Sequence, residues 1–260
     1  MIPAFIDRFL LGTPGFVSRH YRGYKWWRWG ERELHLVPAL CDRWKCSVDV
    51  GAHCGMYTYF MGRTSLHCLA FEPNPRLLGQ LNAQAINATI YSCALSDHCF
   101  ATELRIPREE SGLRMGCATI EPENRVKTET VNEPIEVRTL DSFHLTNVGF
   151  VKIDAEGHEL AVLRGAAATL RTSHPRLLIE AEDRHRPNAV SSVVSFLEEM
   201  GYSGFFLSGR ELQPVSKFDT KVHQRPDAPA YIANFIFLHW TDTSALQGFR
   251  GSSLSRHRTA

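Results

Sequence analysis

The stretch Val48-Asp49-Val50-Gly51-Ala52-His53-Cys54-Gly55 limits what this chain can fold into more than any other. It reads as an apolar strand that runs into a glycine turn and a helix. Phe71-Glu72-Pro73-Asn74-Pro75 follows about one βα unit later and sets an acid at the end of the next strand. An open α/β sheet holds an adenosine in this way, with the backbone turned close to the ligand and the acid at the ribose. A nucleoside-cofactor enzyme is therefore the leading reading.

Around that core the chain divides into an aromatic and basic N-terminal extension (1–30), one α/β domain (31–240) and a Ser, Thr, Gly and Arg-rich flexible tail (241–260). Leu34, Val37, Cys41 and Trp44 recur at helical spacing, with Pro38 kinking or restarting that helix. Buried strands are expected at 46–50, 65–71, 88–95, 149–154 and 176–181, and two final strands at 202–207 and 231–238 are joined by a loop. Helices are expected after Gly55, from the Asn74-Pro75 start, over 158–170, and around Val190, Val193, Val194 and Leu197. With no helix between them, the last two strands can lie antiparallel. Extra strands at 100–106 and 134–139 flank a polar insertion, 108–132, where walls specific to a substrate are expected.

Composition removes several classes. At 260 residues, 43% hydrophobic and 22% charged, the chain has an ordinary globular balance, neither disordered nor collagen-like. A net charge of +1 gives no global reason to expect nucleic acid as a partner. The seven cysteines form no C-x-x-C pair and mostly fall in apolar segments, so they read as reduced core residues rather than a zinc site or a disulfide frame. Residues 1–11 are apolar but interrupted by Asp7 and Arg8, without a basic leader, and no run reaches the roughly 18 residues of a membrane span. A soluble, cytoplasmic protein is the expectation.

Glu72 lies 21 residues after Gly51, a spacing that suits a nicotinamide dinucleotide and S-adenosylmethionine alike. The turn separates them. A pyrophosphate needs G-x-G-x-x-G, whereas Gly51-Ala52-His53-Cys54-Gly55 lacks the middle glycine. Asp49, just before the turn, suits the ammonium of a methionine moiety and has no use beside a diphosphate. The bland alternatives are a plain βα turn with a satisfied Asp49, and a Glu72 that is merely solvated.

These residues carry a family resemblance. Residues 48–55 and 71–75, Ala94-Leu95-Ser96-Asp97, Thr139-Leu140-Asp141 and above all Val151-Lys152-Ile153-Asp154-Ala155-Glu156-Gly157-His158-Glu159-Leu160 resemble the FkbM family of S-adenosylmethionine-dependent methyltransferases, over about residues 46–207. The resemblance implies an α/β, class I methyltransferase-like doubly wound sheet, mostly parallel with the last strand antiparallel, flanked by helices, with a small β insertion between strands three and four. It also implies methylation of a hydroxyl on a sugar, a glycolipid, an oligosaccharide or a polyketide. One sub-branch resembles rhizobial enzymes that methylate a sugar on a lipo-oligosaccharide signal. His53 stands where the family often carries Asn, and both can donate a hydrogen bond.

Expected cofactor-binding residues are Asp49, Gly51, His53, Gly55, Glu72, Asn74 and Asp154, with Ser96 and Asp97 near the adenine or else capping a turn. Methyl transfer to an alcohol needs alignment and a base, and the carboxyl ends of strands four and five offer Asp154, Glu156, His158, Glu159, Glu180, Glu182 and His185. Asp154 is the first choice, for the sulfonium end or as base, with His158 or His185 second. Asp154, Glu180 and Glu182 would also suit a divalent metal that lowers the pKa of the hydroxyl, but the spacing is not distinctive and Glu156 and Glu159 suit a helix N-terminus regardless, so no metal is favoured. The expected partner is a small-molecule or glycan- or lipid-linked acceptor. Trp26, Trp27 and Trp29 of the extension could stack on sugar, touch a membrane surface peripherally, cover a site, or pack on the domain or a second subunit. A nucleotide-dependent oxidoreductase and a non-catalytic scaffold on the same fold remain the alternatives.

Overall fold

A computed structural model describes residues 15–228 and 230–242. In chain order the elements are α1 (Gly15–Trp29), a 3-10 turn over Arg32–Leu36, α2 (Val37–Leu40), β1 (Cys46–Val50), α3 (Met56–Thr64), β2 (Cys68–Phe71), α4 (Leu78–Gln84), β3 (Ala88–Tyr91), β4 (Ala94–Leu95), β5 (Phe100–Glu109), β6 (Gly112–Leu113) and β7 (Thr130–Arg138). There follow β8 (Val148–Ile153), α5 (Glu159–Arg164), α6 (Ala167–Ser173), β9 (Arg176–Glu180), α7 (Ala189–Glu199), β10 (Tyr202–Ser208), β11 (Glu211–Pro214), α8 (Thr220–His223) and β12 (Asn234–His239).

The main sheet runs β11-β10-β12-β9-β8-β1-β2-β3. Neighbours from β9 to β3 are parallel, and β12 lies antiparallel between β9 and β10, as the resemblance implies. Both faces are covered, so its central strands are nearly all apolar: β8 is buried at each of its positions, and so is β2. The pleat sends alternate residues to opposite cores. Val151, Ile179 and Phe237 pack on one side with α5 and α7; Phe150, Leu178 and Ile236 pack on the other with the 3-10 turn, α2 and α3.

Several expected boundaries shift for identifiable reasons. The third strand splits: Ala88–Tyr91 stays in the main sheet, while Ala94–Leu95 pairs with β7 in a second sheet, β4-β7-β5-β6, that forms the insertion around Leu104, Ile106, Ile135 and Val137. Residues 158–170 form two short helices, because Gly165 packs against the Ser96 carbonyl and the chain steps there. The segment between the last two main-sheet strands is more than a loop, since β11 pairs with β10 as a hairpin and α8 follows. Asn74 opens a turn rather than the helix itself: its Oδ1 accepts the Arg76 N–H at 3.1 Å, and α4 begins at Leu78.

The extension forms α1 and packs on the domain. Gly23 lies against the Tyr59 ring, His20 Nδ1 is 2.8 Å from Tyr59 Oη, and Trp27 meets Phe60 and His35. Residues 1–14 of the extension and 243–260 of the tail lie outside the described residues. No helix among the described residues is long and apolar enough to cross a membrane.

Candidate active site

The carboxyl ends of β1, β2, β8 and β9 open into a cavity of about 320 Å³, in the range of small-ligand sites. At the end of β1 the chain reverses at Gly51, whose φ is +73° and where a Cβ would stand 1.9 Å from the Asp154 carbonyl oxygen. Only glycine fits there, because β1 and the end of β8 approach too closely for a side chain. The turn glycine thus serves the fold first, and by the same close approach it brings Asp154 beside the turn.

The first end of the cavity belongs to Asp49, His53 and Glu72. Asp49 is fully buried and accepts the Thr58 hydroxyl at 2.5 Å; burial pushes its carboxyl up to about 6, against the pull of Thr58 and Lys152. Glu72 is also buried, and its carboxylate accepts the N–H groups of His53 (2.6 Å) and Asn74 (2.8 Å). Burial raises it to about 7 in spite of those bonds. The turn therefore grips the acid and aims it. His53 takes a left-handed backbone, φ +50°, and its buried Nε2 has no hydrogen-bond partner among the described residues. Burial lowers its imidazole pKa. An orphaned polar atom in a cavity wall points to a ligand partner.

The second end is carried by Lys152, Asp154, Glu156 and Glu180. Lys152 is fully buried, with Nζ 3.5 Å from Asp154 Oδ2 and 5.0 Å from the centre of the Tyr57 ring. Burial pulls its pKa down, but Asp154, Glu180, Glu31 and Asp49 outweigh burial and hold it above its ordinary value. Glu180 is pushed up to about 9 by burial and by Asp154, against Lys152. Glu156, at φ +51°, is likewise raised to about 9 by burial, Asp154 and Glu159. Two non-glycine residues in left-handed backbone on one cavity wall, His53 and Glu156, mark it as strained in the way binding sites are.

The remaining residues of the expected edge divide by geometry. His158 lines the cavity, yet both ring nitrogens are engaged, Nδ1 with Glu121 Oε2 at 2.9 Å and Nε2 with Ser96 Oγ at 2.8 Å. It acts as a latch between the insertion and the turn after β8. His185 stands behind the wall, with Nε2 3.2 Å from Glu156 Oε2, and burial lowers its pKa. Glu159 spends its carboxylate on the N–H groups of Ala155 and Gly157, and burial raises it to about 7. Glu182 is taken up by Arg184, at 2.7 and 2.6 Å, and by Tyr231. Among the described residues no three His, Cys, Asp or Glu side chains are grouped to hold a metal ion.

Ser96 and Asp97 are not brought to the cavity: Ser96 turns to His158, and Asp97 is exposed beside His98. Cys93, Ala94 and Leu95 line that wall instead. Asn74 and Gly55 also sit behind the lining. Asn74 Nδ2 reaches Met115 Sδ at 3.4 Å, and Gly55 ends the turn at φ +89°. The insertion lines the cavity through Met115, Gly116, Ala118, Thr119 and Ile120. It is fastened where Thr119 Oγ1 and Asn124 Nδ2 donate to the Glu156 carbonyl at 3.0 and 2.9 Å.

Glu31, Tyr57 and Lys152 line the cavity although the sequence reading gave them no role. Tyr57 donates its hydroxyl to Glu31 at 2.7 Å. Lys152 had a visible signal, a lysine inside an otherwise apolar strand, which needs a buried counter-charge. Glu31 had none, since a single acid after an aromatic helix looks solvated.

The family model described as Methyltransferase FkbM domain matches residues 49–203. No curated protein matches the chain. Among solved structures, the chain is similar to a methyltransferase FkbM from Methylobacillus flagellatus KT, with 17% identity, a TM-score of 0.48, and coverage of 76% of this chain and 44% of that one. It thus spans less than half the length of that protein. It is also similar to an rRNA methylase from Streptococcus thermophilus (13% identity, TM-score 0.43, 80% and 93% coverage). A precorrin-6y C5,15-methyltransferase from Geobacter metallireducens GS-15 is a further match (12% identity, TM-score 0.42, 79% and 86% coverage). With the matched domain taking up more than half of its residues, the chain belongs to the FkbM family of S-adenosylmethionine-dependent methyltransferases.

Proposed function

We propose that the protein transfers the methyl group of S-adenosylmethionine to a hydroxyl of a sugar, a glycolipid, an oligosaccharide or a related natural product. The observation that carries this reading is one cavity with carboxylates at two ends, Asp49 and Glu72 from β1 and β2, and Asp154 and Glu180 from β8 and β9. The first end fits the cofactor: Asp49 suits its ammonium, Glu72 its ribose hydroxyls, and His53 Nε2 has hydrogen-bonding capacity to spare. When bound, S-adenosylmethionine supplies an electrophilic methyl carbon on a positive sulfur.

The chain's own residues then align and deprotonate. With the cofactor held there, Asp154 would accept the hydroxyl proton as the acceptor oxygen takes the methyl group from the sulfonium, which would leave as a neutral thioether. Glu180, raised to about 9, is a neutral acid at pH 7 and donates a hydrogen bond to the acceptor. Asp154 and Glu180 thus take different roles at this end of the cavity, the first as base and the second as hydrogen-bond donor. Lys152 is the buried cation that faces both.

Incubation with methyl-labelled S-adenosylmethionine and a panel of deoxysugar oligosaccharides and glycolipids tests this. Label on a hydroxyl oxygen is expected. Saturable cofactor binding with no label on any hydroxyl acceptor would overturn the acceptor class, and saturable nicotinamide binding would favour the oxidoreductase.

A further inference from the structure

We propose that the outward face of α1 is a docking surface for an anionic lipid bilayer. The sequence of this helix, GFVSRHYRGYKWWRW, carries Arg19, Arg22, Lys25 and Arg28 and no Asp or Glu. The whole chain has a net charge of only +1, so the positive surplus is local to this element.

The inward face is accounted for by Gly23 and His20 on Tyr59, by Trp27 on Phe60, and by Arg19 Nε on the Ala83 carbonyl at 2.9 Å. Among the described residues, the outward face is left uncovered at Tyr24 and Trp29. Tyr24 is 57% exposed and Trp29 55%, their rings 5.9 Å apart, with the Arg28 guanidinium 5.9 Å from the Trp29 ring; Arg22 is exposed on the same helix. Amphipathic rings with cations among them suit the headgroup region of a bilayer, where Trp and Tyr sit at the boundary and Lys and Arg meet anionic headgroups. An apolar protein partner would explain the rings but not the exposed cations Arg22 and Arg28 on the same acid-free helix.

The location adds a consequence that rests on the reading of a glycan- or lipid-linked acceptor. Glu31, two residues after Trp29, lines the cavity and holds Tyr57. A helix lying on a bilayer would set the segment that follows it, Glu31 included, close to an acceptor carried in that bilayer.

Co-sedimentation of the full chain with phosphatidylcholine vesicles, with and without about one third phosphatidylglycerol, tests the proposal. Binding is expected to the anionic vesicles only, to fall at high salt, and to weaken by at least about tenfold in R22E/R28E. A similar loss is expected in Y24S/W29S, with the charge-neutral R22Q/R28Q giving a smaller one. Equal partition to both vesicle types, or anionic binding that R22E/R28E leaves unchanged, would overturn it. So would displacement from the vesicles by an RNA oligonucleotide bound more tightly. Calorimetric S-adenosylmethionine binding by the same preparations reads the catalytic assignment separately: its loss in the parent protein would count against that assignment and not against the docking surface.

Discussion

At the scale of single residues, Lys152 and Asp154 decide most. Lys152 is a buried cation within reach of Asp154, Glu180, Glu31 and Asp49, and removing one partner of such a set leaves the others uncompensated. Lys152→Met is expected to cost roughly 3–5 kcal/mol in urea unfolding; an unchanged midpoint would show that the carboxylates do not depend on it. Asp154→Asn is expected to lower turnover by at least about 100-fold while S-adenosylmethionine affinity stays within a few-fold, a split readable from kcat and a separate binding titration. The raised carboxyl groups also predict a pH effect. Glu156 and Glu180, at about 9, and Glu72 and Glu159, at about 7, all lie above the ordinary 4.5, so the folded chain binds more protons than the unfolded one between those limits. Their contribution is complete below 4.5 and is lost as pH rises through the folded values. The protein without cofactor should therefore unfold at lower urea at pH 9 than at pH 6, and Glu156→Gln should flatten that slope. Stability that rises over this interval would contradict the assignment.

At the scale of elements, two contacts join the site's pieces. Gly51 allows the end of β1 to pass the Asp154 carbonyl, and an alanine there would meet that oxygen at 1.9 Å on a left-handed backbone. Gly51→Ala is expected to lower Tm by at least about 5 °C in a thermal melt. The insertion is latched onto the turn after β8 by Glu121 on His158. Despite burial, His158 and the Glu123 N–H hold the Glu121 carboxyl below its ordinary value, so the pair behaves as a charge-assisted bond. Glu121→Ala should weaken S-adenosylmethionine binding by about tenfold, mainly through faster release, with smaller effects on a melt. Equal dissociation rates would show that this wall does not retain the cofactor.

At the scale of the whole molecule, the N-terminal helix and the sheet share one site. Gly23 allows α1 to settle on Tyr59, and the chain leaving α1 carries Glu31 into the cavity. Gly23→Val should push the helix off α3, raising KM for the acceptor several-fold while cofactor affinity changes by no more than about twofold. A matched change in both would mean that the helix supports the domain as a whole and not its acceptor end.

The strand-turn-helix at 46–55, the acid at Glu72 and the Lys-Ile-Asp block were enough to read the parallel sheet, because buried parallel strands and glycine turns are written in local pattern, and the family resemblance added its antiparallel last strand. Local pattern does not contain contacts between distant segments. The break of the third strand into two sheets, the two ring-nitrogen contacts of His158 that turn an expected base into a latch, the withdrawal of Ser96 and Asp97 from the cavity, and the arrival of Glu31 and Tyr57 beside Lys152 all depend on which segments meet. The sequence determined which residues must be buried and where the chain turns. Only the tertiary structure decided which buried charges share a cavity, since a carboxylate's protonation and role follow from neighbours that lie more than a hundred residues away in the chain.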